Sequence, residues 1–216
     1  MSKINYNDSF INTNVFITGT DTEVGKTYVA CRILHKWRNL GYKTIGLKPI
    51  SSGHSLISNK LVNEDAYLLQ KAATEKLPLS KVNPFSFPEF IAPHIAAEKH
   101  GVILNIETLF KSMEEQLKSN YDYCLVEGCG GWHVPIDKNK TMADFAKMLG
   151  FPVVLVVSIK LGCINHAILT YNSIKSNGVE VYGWVANCMV DMEKNSQQEN
   201  IKAISNFINA PLLAIE

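Results

Sequence analysis

Val15-Phe16-Ile17-Thr18-Gly19-Thr20-Asp21-Thr22-Glu23-Val24-Gly25-Lys26-Thr27 joins a short apolar run to a Gly-Lys-Thr tripeptide, and the residues that follow repeat with helical spacing. A strand, a tight loop and a helix start, in that order, bring consecutive backbone N–H groups and the positive end of the helix to one point, which suits an anion of phosphate size. Gly25 lets the backbone approach the anion, Lys26 reaches the outer phosphates, and the Thr27 hydroxyl is placed to ligate magnesium. The spacing departs from the usual pattern, because Gly19 lies six residues before Gly25 and Thr20 stands where the first glycine is expected. An ordinary strand-to-helix turn is the alternative; the strand before and the helix after favour a P-loop variant.

Outward from this stretch, the pattern predicts a helix from Lys26 to about Leu40, with Val29, Ile33, Trp37 and Leu40 on one face and Gly41 as its stop. A strand follows from Lys43 to about Pro49, completing a crossover that joins parallel strands. Ser51 to Asn63 is polar and predicts a loop, after which Asn63-Glu64-Asp65 caps a helix through about Ala73. Pro78, Pro84, Pro88 and Pro93 make Lys76 to His94 an irregular excursion, either a lid or a surface loop. A helix is expected from Ile106 to Lys118, and a strand from Tyr121 to Val126 that ends in Glu127 and the cluster Gly128-Cys129-Gly130-Gly131. Thr141 to Leu149 predicts a short helix, and Pro152 to Val157 a central strand buried on both faces. The remainder reads as a loop at Lys160 to Cys163, a helix to about Lys175, a strand at Val181 to Ala186, and a helix from about Glu193 to Asn209 with Ile201, Ile204, Phe207 and Ile208 inward. This alternation predicts an α/β fold, a mostly parallel sheet flanked by helices on both faces. Ligands of such sheets gather at the carboxyl ends of the strands, which selects the P-loop, Lys48, Glu127, Lys160 to Asn165 and Asn187.

The chain has 216 residues, is 46% hydrophobic and carries a formal net charge of +1. No linker or composition break divides it, so one domain over residues 15–216 is expected, preceded by a loose polar extension at 1–14. The near-zero charge offers no field for nucleic acid or an anionic membrane, and no apolar run approaches the length of a membrane span. Cys31, Cys124, Cys129, Cys163 and Cys188 form no close pair, which fits a reducing cytoplasm. The six histidines show no metal-ligand spacing, and neither Cys129 nor Cys163 has a sequence-adjacent base to activate it.

Glu127, ending an apolar strand, stands where P-loop proteins place an acid that helps hold magnesium. Lys48, ending another, is placed to neutralise charge that develops during phosphoryl transfer. Asp65, in the first turn of a helix, is equally explained by the helix dipole. The glycine cluster either packs against a ligand or makes a turn, and Trp132 after it reads as core.

The ordered set Thr18 to Thr27, Lys48-Pro49 with Ser52-Gly53, Val126-Glu127-Gly128 with Gly130-Gly131-Trp132, Lys160 to His166, and Gly183 to Asn187 resembles the dethiobiotin synthetase family from about Val15 to the C-terminus. The resemblance implies an ATP- and magnesium-dependent ligase of biotin biosynthesis, acting on 7,8-diaminopelargonate and carbon dioxide. It implies that Glu23, Val24, Gly25, Lys26, Thr27 and Tyr28 wrap the phosphates, with Gly128, Cys129, Gly130 and Asn187 also on the nucleotide. Lys26 and Lys48 are implied to be catalytic, and Thr27, Asp65 and Glu127 to hold magnesium. Ser52 is implied to contact the diamine. The loop Leu161, Gly162, Cys163 and Asn165 is implied to receive the substrate carboxylate from the opposite subunit of a homodimer. Cys129 stands where many relatives have alanine, and relatives are expected to continue past the position of Glu216 through a segment that encloses base and ribose. Two other classes share the P-loop: an amidase-type, carboxylate-activating enzyme, and a ParA-like nucleotide switch, which the near-zero charge and the lack of a second early lysine disfavour.

Overall fold

The computed structural model describes residues 11–189 and 192–216. β1 (Val15–Gly19) enters the P-loop and α1 (Lys26–Asn39) leaves it. There follow β2 (Thr44–Leu47), β3 (Ile50–Ser52), β4 (Ser55–Ile57), β5 (Lys60–Val62), α2 (Glu64–Ala72), α3 (Leu79–Val82), β6 (Phe85–Phe87), α4 (Pro93–Lys99), α5 (Ile106–Lys111) and α6 (Glu114–Leu117). The second half runs β7 (Tyr123–Gly131), α7 (Met142–Leu149), β8 (Val153–Ser158), α8 (Cys163–Ser176), β9 (Val181–Asn187), α9 (Lys194–Phe207) and β10 (Leu212–Ile215).

The main sheet has six strands in the order β10-β9-β8-β1-β7-β2, every neighbouring pair parallel. Successive strand residues point to opposite faces, so β1 divides its side chains between two cores. Val15 and Ile17 join Val29, Ile33, Trp37 and Leu69 from α1 and α2. Phe16 faces the other way, meeting Phe145 of α7 and Trp132 edge-on at centroid distances of 6.3 and 6.4 Å. Strands covered on both faces have no solvent side, which is why β1 and β8 are buried at every position.

Several boundaries differ from the sequence expectation, each for a local reason. The glycine cluster is not a loop: β7 continues through it, with Glu127 opposite Ile17 and Gly131 opposite Gly19 of β1. Glu127 therefore sits inside a strand, held by its neighbours. The expected loop at 51–63 contains β3 and a hairpin of β4 and β5, whose turn residues Ser58 and Asn59 both have positive φ. The excursion at 76–94 is ordered by α3, by β6 pairing with β3, and by the start of α4. The helix expected over 106–118 breaks into α5 and α6, with the Ser112 hydroxyl donating back to the Leu109 carbonyl at the break. Leu40 and Phe207 are exposed at helix ends rather than inward.

The expected N-terminal extension lies outside the described residues as far as residue 10. Of its last four residues, Ile11 is buried with its carbonyl accepting from Trp37 Nε1 at 2.7 Å, and Asn14 accepts from the Cys124 N–H at 2.8 Å. No helix among the described residues is long and apolar enough to cross a membrane.

Candidate active site

The carboxyl ends of β1, β2, β7, β8 and β9 meet over a cavity of about 860 Å3. Its floor is the P-loop. Gly25 caps α1 with φ +90°, and a side chain there would put a Cβ 1.9 Å from Asn187 Nδ2, so only glycine lets the loop and the end of β9 approach this closely. Asn187 fixes the contact by donating to the Val24 carbonyl at 2.8 Å. Its Oδ1 is buried without a partner, an acceptor free for a donor on a ligand. Lys26 lies along the loop and donates to the Asp21 carbonyl at 2.8 Å.

Register brings the charged centre together. Leu47 of β2 pairs with Val126 of β7, so the next residues, Lys48 and Glu127, stand side by side. Lys48 Nζ is 2.6 Å from Glu127 Oε1 and 2.9 Å from Asp65 Oδ2, and the Thr27 hydroxyl donates to the same Glu127 oxygen at 2.8 Å. Asp65 arrives from the first turn of α2, whose cap Asn63 accepts from the Ala66 N–H and donates to the Gly53 carbonyl at 3.0 Å. The capping residue thereby ties Asp65 to the Ser52-Gly53 turn.

The electrostatics follow from this packing. Burial by itself lowers the Lys48 pKa, but the Glu127 and Asp65 carboxylates outweigh it and hold it above the ordinary lysine value. Burial would raise the Asp65 carboxyl, yet Lys48 holds it below the usual aspartate value. Lys26 is lowered, by burial first and by the neighbouring Lys48 ammonium second. Burial pushes the Cys129 thiol up to about 11, which leaves it protonated and poorly nucleophilic at neutral pH.

The donor set fits magnesium. Thr27, Asp65 and Glu127 offer one hydroxyl and two carboxylates, and Glu127 Oε2 is fully buried with no hydrogen-bond partner. Magnesium takes few protein oxygens and completes its shell with water and phosphate. Accordingly, no cluster of three or more His, Cys, Asp or Glu side chains is needed, and none occurs among the described residues.

Most of the residues singled out in the sequence line this cavity: Glu23, Gly25, Lys26, Thr27, Tyr28, Lys48, Ser52, Asp65, Glu127, Cys129, Gly130 and Asn187. Val24 and Gly128 lie behind the wall. Val24 is buried beneath the loop, and a Cβ on Gly128 would meet the Phe16 ring at 2.9 Å, so that glycine serves strand packing. Leu161, Gly162, Cys163 and Asn165 are not among the cavity's residues. They lead into α8, Leu161 almost fully exposed and Cys163 buried. Sequence reasoning missed Ser51, Asn63, Ser158 and the wall Phe90-Ile91-Ala92-Pro93. Ser158 ends β8, where the strand-end rule already pointed; the wall depends on β6, whose pairing no local pattern announced.

Residues 13–215 match a protein family described as AAA domain. The ATP-dependent dethiobiotin synthetase BioD of Pseudomonas paraeruginosa is 42% identical over 198 residues, spanning 92% of this chain and 86% of that protein. The protein of the same name from Aromatoleum aromaticum is 40% identical over 200 residues, spanning 93% and 88%. Among solved structures, the MinC:MinD cell division protein complex of Aquifex aeolicus aligns with a TM-score of 0.55 at 18% identity, covering 94% of this chain and 80% of that one. The septum site-determining protein MinD of Pyrococcus horikoshii, complexed with Mg-ADP, gives 0.53 at 15% identity, covering 95% and 81%. These two likenesses are of fold alone. By its sequence, over nearly its whole length, the chain belongs to the family of ATP-dependent dethiobiotin synthetases.

Proposed function

We propose that this cavity makes dethiobiotin in biotin biosynthesis, closing a ureido ring on 7,8-diaminopelargonate with carbon dioxide and ATP. One amine takes up carbon dioxide as a carbamate and releases a proton. A carbamate oxygen attacks the γ-phosphorus and ADP leaves. The second amine then attacks the carbonyl carbon of the carbamic-phosphoric anhydride, phosphate departs, and the ring closes.

The observation that carries this reading is the Lys48 ammonium, buried between Asp65 and Glu127 in the chamber that joins the P-loop to the Ser51–Gly53 segment. A charge already held in place needs little reorganisation as negative charge moves from carbamate to phosphate. Lys26 acts beside it on the transferring phosphoryl group. Glu23 to Tyr28 wrap the phosphates, Cys129 and Gly130 line the nucleotide, and the free Asn187 oxygen takes the amino edge of adenine. Thr27, Asp65 and Glu127 hold magnesium, which when bound neutralises phosphate charge. Ser52 contacts the diamine end of the substrate, and the apolar wall at Phe90 to Pro93 suits its alkyl chain. Leu161, Gly162, Cys163 and Asn165, which do not line their own chain's cavity, receive the substrate carboxylate at the positive start of α8 from the other subunit of a cytoplasmic homodimer. Neither nucleic acid nor membrane enters this scheme.

The test is direct. Incubation with diaminopelargonate, bicarbonate and Mg·ATP yields dethiobiotin and ADP in equal amounts by mass spectrometry; absence of the product at saturating substrates overturns the reading.

A further inference from the structure

We propose that Asn83 is a positioning residue that sets where Lys48 stands, an inference that rests on the catalytic reading of Lys48 given above. Lys48 lies just past the end of β2 and is followed by Pro49, so its own peptide groups fall outside the ladder of the main sheet. Both are taken up by the end of α3. The Lys48 N–H donates to the Val82 carbonyl at 2.9 Å, and the Lys48 carbonyl accepts from Asn83 Nδ2 at 2.6 Å.

Asn83 is 5% exposed, and its carboxamide is fully used. Nδ2 also reaches the Phe85 carbonyl at 3.4 Å, while Oδ1 accepts from the Ser51 hydroxyl at 2.8 Å. Two carbonyls on one side and a hydroxyl on the other leave a single sensible orientation of the amide. One side chain thus ties the exit of β2, the cavity-lining Ser51 of β3 and the entrance of β6. From that anchored backbone the Lys48 side chain reaches both carboxylates, and a slip of about 1 Å in such a site is enough to cost much of the rate.

The test uses Asn83→Leu, which removes the whole hydrogen-bonding set, and Asn83→Asp, which keeps an acceptor for Ser51 but loses the donor to Lys48. Each is made in the wild-type and the Lys48→Ala backgrounds. In the wild-type background kcat falls about 10- to 100-fold while the Kd for ATP stays within about twofold. In the Lys48→Ala background the same change lowers the residual kcat by less than about twofold, because the residue it acts through is gone. Equal losses in both backgrounds overturn the proposal and leave Asn83 a support of the fold. If the wild-type protein makes no dethiobiotin, the functional reading fails by itself. The positioning is then decided by crystal structures of wild type and Asn83→Leu, in which the Lys48 backbone and ammonium shift by about 1 Å in the variant. An unmoved Lys48 overturns it.

Discussion

At the scale of single residues, the centre of the site is a lysine shared by two carboxylates of unlike character. Glu127 is fully buried, whereas the Asp65 side chain is 43% exposed, so solvent reaches the Asp65 side of the lysine. Its depressed pKa has a definite sign. A carboxylate held below its unfolded value of about 3.8 adds stability above that pH and loses it as the pH falls through the folded value. In metal-free protein the stability gap between wild type and Asp65→Asn is therefore largest near neutrality and closes on acidification below about pH 4, as urea unfolding at a series of pH values reads. A gap that widens in acid would contradict the ion pair. Much of this centre was legible in the sequence. Lys26 and Thr27 follow from the motif, and Lys48 and Glu127 from their places at the ends of apolar runs. Asp65 was not decidable from spacing, because an acid in a first helical turn needs no partner. Ser51 and Asn83 were invisible, since their contacts depend on how a three-residue strand pairs with another 35 positions away.

Among elements, the cap of α2 does more than end a helix. Asn63 satisfies the Ala66 N–H and, through the other end of its amide, the Gly53 carbonyl. Asn63→Ala removes both, so urea unfolding should show a loss of about 1–2 kcal/mol. The capped helix was readable because Asn-Glu-Asp before an apolar repeat is a local signal. The hairpin before it was not, because its turn uses Ser58 and Asn59 at positive φ where glycine would have announced it, and because Leu56 and Leu61 point outward. The length of β7 was also hidden. Glycines read as a break, yet here they are strand residues whose small size admits the Phe16 ring on one side and the P-loop on the other.

For the whole molecule, the absence of the α8 start from the residues that line the cavity makes a site shared between chains a measurable matter. Gly162→Asp sets a negative charge where a carboxylate is proposed to bind, and Lys48→Ala disables the phosphate end. If each site draws on two chains, random pairing of the two inactive variants restores about one quarter of wild-type turnover, since half the dimers are mixed and each holds one intact site. No recovery after co-expression would place the whole reaction within one chain. The parallel sheet itself was foreseeable from the alternation of strands and helices; a site shared between chains was implied by the resemblance alone, because no local pattern encodes it. The two carboxylates that flank Lys48 are also held in different ways. Glu127 is zipped into the interior of β7 between two neighbouring strands, while Asp65 rides on a helix start tied by the Asn63 amide to the Ser52-Gly53 turn. The two walls are therefore unequal, one fixed in the sheet and the other resting on a helix cap. Any loosening of the chamber is therefore expected on the Asp65 side, where amide hydrogen exchange in the first turn of α2 should outpace that of β7.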